Sequence, residues 1–290
     1  YEGLDAESPF AVLVDTLSVG RDDSRLAQIV LDVFGRIQSH PAPERWLTEQ
    51  RAVWSLEGVT DAGETPWGQL LLSDAARQGR DCVRKLEQAL LLAEQDELLS
   101  GNYAPSLQAT LEGVKAFCAA AEQGSWDGAY ACLPIPFPAV GRKRKRAAAL
   151  SPMEEVRAAA AAQRVKDLRE AVKERMVKLS EWFDGDSGEQ LSALADSRPA
   201  VQGLMDLVGT FQRAYQREKA RRGLLDFSDL EHFAVQLLVD PETGAPTEVA
   251  RLWSARFDEV MVDEYQDTNQ VQNTIFAAVL AAVMVPSPVR

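Results

Sequence analysis

Val262-Asp263-Glu264-Tyr265-Gln266-Asp267-Thr268-Asn269 is the stretch whose reading decides the fold. It follows Phe257-Asp258-Glu259-Val260-Met261, whose apolar residues predict a short strand with a buried end that stops at Asp263-Glu264. Residues 268–284 return to a helical pattern, with Asp267 or Thr268 as the expected cap. A strand, an acidic turn and a helix form the repeating unit of α/β domains, in which ligands gather beyond the carboxyl ends of the strands. An Asp placed there can hold Mg²⁺, usually through water, because the ion prefers hard oxygen ligands and keeps several waters. A Glu beside it can orient or deprotonate a water attacking a γ-phosphate. Two adjacent carboxylates repel each other in a dry site unless a cation lies between them, which makes the pair odd as a core feature.

Upstream, most of the chain reads as helix. Leu26, Ile29, Val30, Val33 and Ile37 recur at helical spacing behind Asp22 and Asp23, and Pro41 and Pro43 stop the run. Pro66-Trp67-Gly68 opens a second helical stretch that runs through Leu86, Leu90 and Leu91. Gly101 and Pro105 predict a turn, with a helix following from about Ser106 to Ala121. Pro134, Pro136 and Pro138 predict an extended connector. Ser151-Pro152, with Glu154 three residues after Ser151, predicts a capped start for a long Ala-rich helix reaching about Phe183. A further helix is expected from about Pro199 to Arg222, then short helices after Asp226 and between Pro246 and Ala255. The resulting fold class is mainly α, with a partial α/β segment carrying the strand before Asp263.

Composition narrows the options. The chain has 290 residues, is 46% hydrophobic and 26% charged, and has a net charge of −13, which argues against attraction of nucleic acid over the whole surface. The charge is uneven: residues 1–140 carry 10 basic and 21 acidic side chains, 141–222 carry 18 and 12, and 223–290 carry 3 and 11. The middle segment, above all Arg142-Lys143-Arg144-Lys145-Arg146, is therefore the candidate for contact with a phosphate backbone. Cys82, Cys118 and Cys132 form no Cys-x-x-Cys pair and only His40 and His232 are present, so a zinc site or disulfide framework is not expected and a reduced, cytoplasmic setting is. No apolar run of about 18 residues suggests a membrane span. The opening Tyr1-Glu2-Gly3 reads as a cut chain, not a signal peptide. The six tryptophans are spread over apolar helix positions and read as core residues.

The string from Asp263 to Asn269 resembles motif II of the UvrD/RecB superfamily 1 DNA helicases, Asp-Glu-aromatic-Gln-Asp-Thr-Asn. Arg222-Gly223-Leu224-Leu225-Asp226-Phe227-Ser228-Asp229-Leu230-Glu231 resembles the Asp-Phe-x-Asp-Leu signature that precedes motif II, in the form closest to the AddA-type helicase–nucleases. Gly20-Arg21-Asp22-Asp23 and Pro43-Glu44-Arg45-Trp46-Leu47 are similar to the same branch. The resemblance implies that Asp263 is the Mg²⁺ carboxylate, Glu264 the catalytic carboxylate for ATP hydrolysis and Gln266 a sensor of the γ-phosphate region. Asp267 and Thr268 would hold the turn and cap the next helix, and Asp226 and Asp229 would support the signature as local caps.

The resemblance further implies an internal piece of a bacterial, cytoplasmic ATP-dependent helicase and exonuclease of double-strand-break repair. Its partners would be duplex–single-strand DNA junctions and an AddB-like subunit, with no membrane. Residues 1–222 would form the helical 1B insertion, and 223–290 a partial RecA-like core. No Gly-x-x-x-x-Gly-Lys-Ser/Thr occurs in the 290 residues, so the piece alone is expected to bind neither ATP nor Mg²⁺ and to be inactive. The alternatives are a stand-alone helical module that binds DNA or docks a partner, and a single-subunit repair helicase of the UvrD type.

Overall fold

The computed structural model describes residues 8–17, 24–141 and 151–283, the side chains of 281–283 excepted. The chain is mainly helical and packs as two compact units, one built from residues 56–195 and the other from the segments on either side. No described helix is long and apolar enough to cross a membrane. The boundary expected at residue 222 coincides with the end of a helix, whereas the packing divides at 55/56 and 195/196.

In the unit of residues 56–195, α4 (Pro66–Glu94), α5 (Glu97–Glu122) and α7 (Pro152–Ser180) pack side by side, with the short α6 (Trp126–Ala131) against α5. Leu72, Leu86, Leu107, Val114, Phe117, Val165, Val172 and Met176 form the core at i, i+3/i+4 spacings. Helices α4 and α5 approach closely at Gly79, where a Cβ would stand 2.4 Å from Cys118 Sγ. Cys82 and Cys118 are buried free thiols; burial pushes each up to about 11, whereas Cys132 is partly exposed. Asp61 ties the start of this unit to the start of α6, accepting hydrogen bonds from Gly63 N (2.7 Å) and Trp126 N (2.8 Å).

Two expectations for this unit are corrected. The turn predicted at Gly101 and Pro105 is absent, and α5 runs through both from its cap at Asp96. Leu99 before the proline and Leu107 after it share the buried face, so packing outweighs the one backbone bond the proline removes. Similarly α8 (Ser187–Arg222) begins twelve residues before the expected start at Pro199 and carries that proline inside it. The proline connector behaves as predicted, with its carbonyls claimed by side chains: Ser106 Oγ donates to Pro138 O (2.7 Å), Thr110 Oγ1 to Pro136 O (2.8 Å) and Arg169 Nη2 to Pro138 O (2.9 Å). Ser151 and Glu154 form the predicted capping box of α7.

The other unit contains α1 (Pro9–Leu17), α2 (Ser24–Ile37), α3 (Pro43–Val53), residues 196–222 of α8, α9 (Phe227–Leu238), α10 (Glu248–Ser254) and α11 (Gln270–Val283). Leu13, Leu26, Val30, Ile37, Leu47 and Val208 form its main core, with Phe34 edge-on to Phe211 at 5.0 Å. Helix α8 ends in a glycine cap: Gly223 takes φ +65°, Gly223 N donates to Ala220 O and Leu224 N to Lys219 O.

The strand expected over Phe257–Val262 is not formed. A strand needs a neighbour to take its backbone N–H and C=O groups, and the only bridge outside helices among the described residues is the pair Val239–Pro246. Phe257, Val260 and Met261 instead line an apolar trough of about 550 Å³ with Leu237, Trp253 and Ile275, from α9, α10 and α11. Trp253 is 48% exposed, the exception to the core reading of the tryptophans; Trp126 is buried and Trp46, Trp54, Trp67 and Trp182 partly so.

Candidate active site

The acidic turn is braced mainly by its own atoms. Glu264 has φ +49° and ψ +40°, the left-handed region that costs a non-glycine residue about 1–2 kcal/mol. Glu264 N donates to Asp263 Oδ1 at 2.9 Å, and Asp267 N to Glu264 O at 2.9 Å, closing a single 3₁₀ turn over Tyr265–Asp267. Thr268 Oγ1 donates to Tyr265 O at 2.7 Å, across the same turn. Gln266 Nε2 donates to the Glu264 carboxylate, and Tyr265 Oη to Asn273 Oδ1. The side chains of Asp263, Glu264, Gln266 and Asp267 are all exposed.

The helix after the turn is capped by Asn269, not by Asp267 or Thr268. Gln272 N donates to Asn269 Oδ1 (2.8 Å) and Asn269 N to Gln272 Oε1 (3.3 Å), a reciprocal capping box. The Thr268 hydroxyl is committed to the preceding 3₁₀ turn, and Asp267 is the last residue of that turn, which leaves Asn269 to cap α11. Gln272 Nε2 also donates to Glu231 Oε1 on α9 at 2.8 Å, and Val271 N donates to Ser39 O at 3.0 Å. These bonds fix the base of the turn to α9 and to the segment after α2. His232 Nε2 lies 2.9 Å from His40 O and fastens the same segment to α9.

The upstream signature is a separate cluster. Asp226 caps α9 in a box with Asp229, each side chain accepting from the other's backbone N–H (3.0 and 2.9 Å). Lys219 Nζ donates to Asp226 Oδ2 (2.8 Å) and to both Asp229 oxygens (2.7 Å each), and Gln216 Nε2 to Asp229 Oδ1 (3.0 Å). Burial alone would push the Asp229 carboxyl up, but the bonds from Lys219, Asp226 N–H and Gln216 outweigh it and hold Asp229 at about 2. Burial likewise opposes the charge on Lys219, and the two carboxylates more than restore it, raising its pKa. Asp226 and Asp229 are thus engaged with each other's backbone and with a lysine that no spacing rule indicates. The Asn269-x-x-Gln272 spacing, by contrast, is a cap signature readable in the sequence itself. Arg142 to Arg146 lie outside the described residues, as do Gly20 to Asp23.

Asp263 and Glu264 offer hard carboxylate oxygens on adjacent residues. That donor set fits Mg²⁺ held mostly by water and phosphate oxygens, since this ion is commonly bound through only one or two carboxylates. It does not amount to a full protein cage, and no group of three or more metal-binding side chains exists among the described residues.

A mainly helical chain with this acidic turn between an extended segment and a capped helix falls in the class of helicase motor segments: residues 86–284 match the family model of the UvrD/REP helicase N-terminal domain, and the chain belongs to that family. Within it, the chain is similar to the ATP-dependent helicase/nuclease subunit of Geobacillus thermodenitrificans (32% identical over 287 residues, 96% of this chain and 22% of that protein). The proteins of the same name from Bacillus pumilus (30% over 277 residues, 93% and 21%) and Listeria innocua (30% over 275 residues, 93% and 21%) are comparably similar. The chain therefore spans about a fifth of the length of the curated relatives it matches.

Proposed function

We propose that this chain is the motif II-bearing part of an ATP-dependent DNA helicase–nuclease that unwinds DNA at broken ends. The observation that carries the reading is the Asp263–Asn269 string, folded as a self-braced turn that presents two exposed carboxylates inside the matched family segment. The names of the relatives favour the helicase–nuclease branch over a single-subunit repair helicase.

In the intact enzyme Asp263 would hold Mg²⁺ through water, and the ion would neutralise charge on the ATP phosphates. Glu264 would orient the attacking water and accept its proton. Gln266, whose Nε2 donates to the Glu264 carboxylate, would report the state of the γ-phosphate region. Residues 1–222 would supply the 1B-type insertion and 223–290 a return to the RecA-like core. Arg142, Lys143, Arg144, Lys145 and Arg146 would meet duplex phosphates by charge alone, and neutralising five phosphates would give a salt slope of about −4 to −5. A bacterial cytoplasm and an AddB-like partner complete the reading.

The test is Glu264→Gln in the full-length protein. ATP turnover should fall by about 10²–10⁴, the worth of a positioned acid–base group, with nucleotide binding retained. Near-normal hydrolysis would remove Glu264 from the catalytic role. The 290-residue chain alone should show no turnover, because its sequence carries no phosphate-binding loop.

A further inference from the structure

Glu231 lies two residues beyond Asp229 on α9, half-buried, and its carboxylate engages a neutral amide. Gln272 Nε2 donates to Glu231 Oε1 at 2.8 Å, while the other end of the same amide, Oε1, accepts from Asn269 N at 3.3 Å. An amide has a donor end and an acceptor end of nearly the same shape, whereas a carboxylate can only accept. Glu231 therefore decides which way the Gln272 amide faces. With Nε2 drawn to the carboxylate, Oε1 is left facing Asn269; reversed, the amide would set N–H against N–H and open that half of the cap.

The acidic turn hangs from this cap. Asn269 ends the Asp263–Asn269 string, and Tyr265 Oη donates to Asn273 Oδ1 at the start of α11. Glu264 keeps a left-handed backbone with φ +49°, a conformation that persists only where the surroundings over-determine it. The bonds inside the turn, from Glu264 N to Asp263 Oδ1 and from Asp267 N to Glu264 O, close it on itself without setting where it stands. Its place is set from α11. That helix is fixed in turn by Val271, fully buried with its N–H on Ser39 O, and by Gln272 on Glu231. The start of α9 is locked separately by the Asp226–Asp229 box and Lys219. Glu231 is a side chain that joins these two groups of bonds.

We infer that Glu231 is a positioning residue of the acidic turn, acting through the Gln272 amide and Asn269 on the placement of Asp263 and Glu264. This role rests on the reading of that turn as the hydrolytic site, proposed above. It gives the upstream signature a task beyond capping α9, since the residues from Asp226 to Glu231 carry the register of α9 across to the two carboxylates. Losing such an outer hydrogen bond, or shifting a reacting group slightly, costs about 10–100-fold in rate.

Hydrogen exchange in the 290-residue chain reads the placement directly. Glu231→Met should speed exchange of the amides of residues 264–269 by about tenfold and leave those of α9 unchanged. Unaltered exchange over 264–269 would overturn the assignment. In the full-length protein, assayed where circular dichroism shows every variant folded, Glu231→Met should lower kcat for ATP by about 10–100-fold. Gln272→Glu keeps a capping side chain for Asn269 but sets a second carboxylate against Glu231, and should lose as much. Interchanging the two residues, Glu231→Gln with Gln272→Glu, restores a donor facing an acceptor and should return kcat to within about threefold of the parent. If Glu231→Met does not fold, the interchanged pair makes the test. Failure of that pair to recover, or full kcat in Glu231→Met where Glu264→Gln has lost turnover, would overturn the positioning role. Near-normal turnover in Glu264→Gln would instead remove the hydrolytic reading, and the exchange rates alone would then decide whether Glu231 holds the turn.

Discussion

Lys219 Nζ donates to both carboxylate oxygens of Asp229 at 2.7 Å, with the lysine 8% and the aspartate 5% exposed. One ammonium group thereby joins the end of α8 to the start of α9, across the glycine cap at Gly223. Removing one member of a buried pair leaves the other charge without compensation. Lys219→Met should therefore destabilise its unit by about 3–5 kcal/mol, measured by urea unfolding. A loss below about 1 kcal/mol would show that water reaches Asp229 freely.

The same pair sets an acid limit. Asp229 is held at about 2, below the ordinary value of 3.8, so its contribution is fully present above pH 4 and is lost as pH falls through 2. The contribution is roughly 2 kcal/mol. In an acid series of unfolding curves, Asp229→Asn should show a shallower fall between pH 4 and pH 2 than the parent chain. Parallel curves would mean that other carboxylates carry the acid sensitivity.

At Glu264 the backbone conformation favours glycine while the proposed chemistry requires a carboxylate. Glu264→Gly should be more stable than Glu264→Ala by about 1 kcal/mol, because alanine keeps the left-handed cost and glycine does not. Equal melting temperatures for the two variants would indicate that the turn relaxes out of that conformation.

Gly79→Ala puts a methyl group where Cys118 Sγ already lies, and the contact is between packed helices. A loss of about 1–3 kcal/mol is expected from overpacking, and Cys118→Ala in the same chain should recover most of it. Failure of the second change to rescue the first would place the strain elsewhere on α4.

The helical plan was legible because apolar spacing and caps are local signals. The series Leu26 to Ile37 and the Ser151–Glu154 box each became the helix they indicated. Pro105 is a misleading signal, because it removes one backbone bond while Leu99 and Leu107 are buried on either side of it; α8 also runs through Pro199, although the residues just before that proline are exposed. The residues before Asp263 had the composition of a strand, but a strand is a relation between segments, and neighbours are invisible in one stretch of sequence. The acidic turn was found because its chemistry is written in consecutive residues. Its anchor was not, since Glu231 meets Gln272 across 41 positions, and neither was the Lys219–Asp229 pair of the separate upstream cluster; only folding brings these residues together.

The three thiols differ in a way that an experimenter can use. Cys82 and Cys118 are shut inside the packing of α4 and α5 and hold their protons to about pH 11, while Cys132 stands partly open at the end of α6. A maleimide added at neutral pH would tag Cys132 first. Uptake of the second and third labels would then keep time with the opening of that unit, giving the chain a built-in clock for local unfolding without any engineered cysteine.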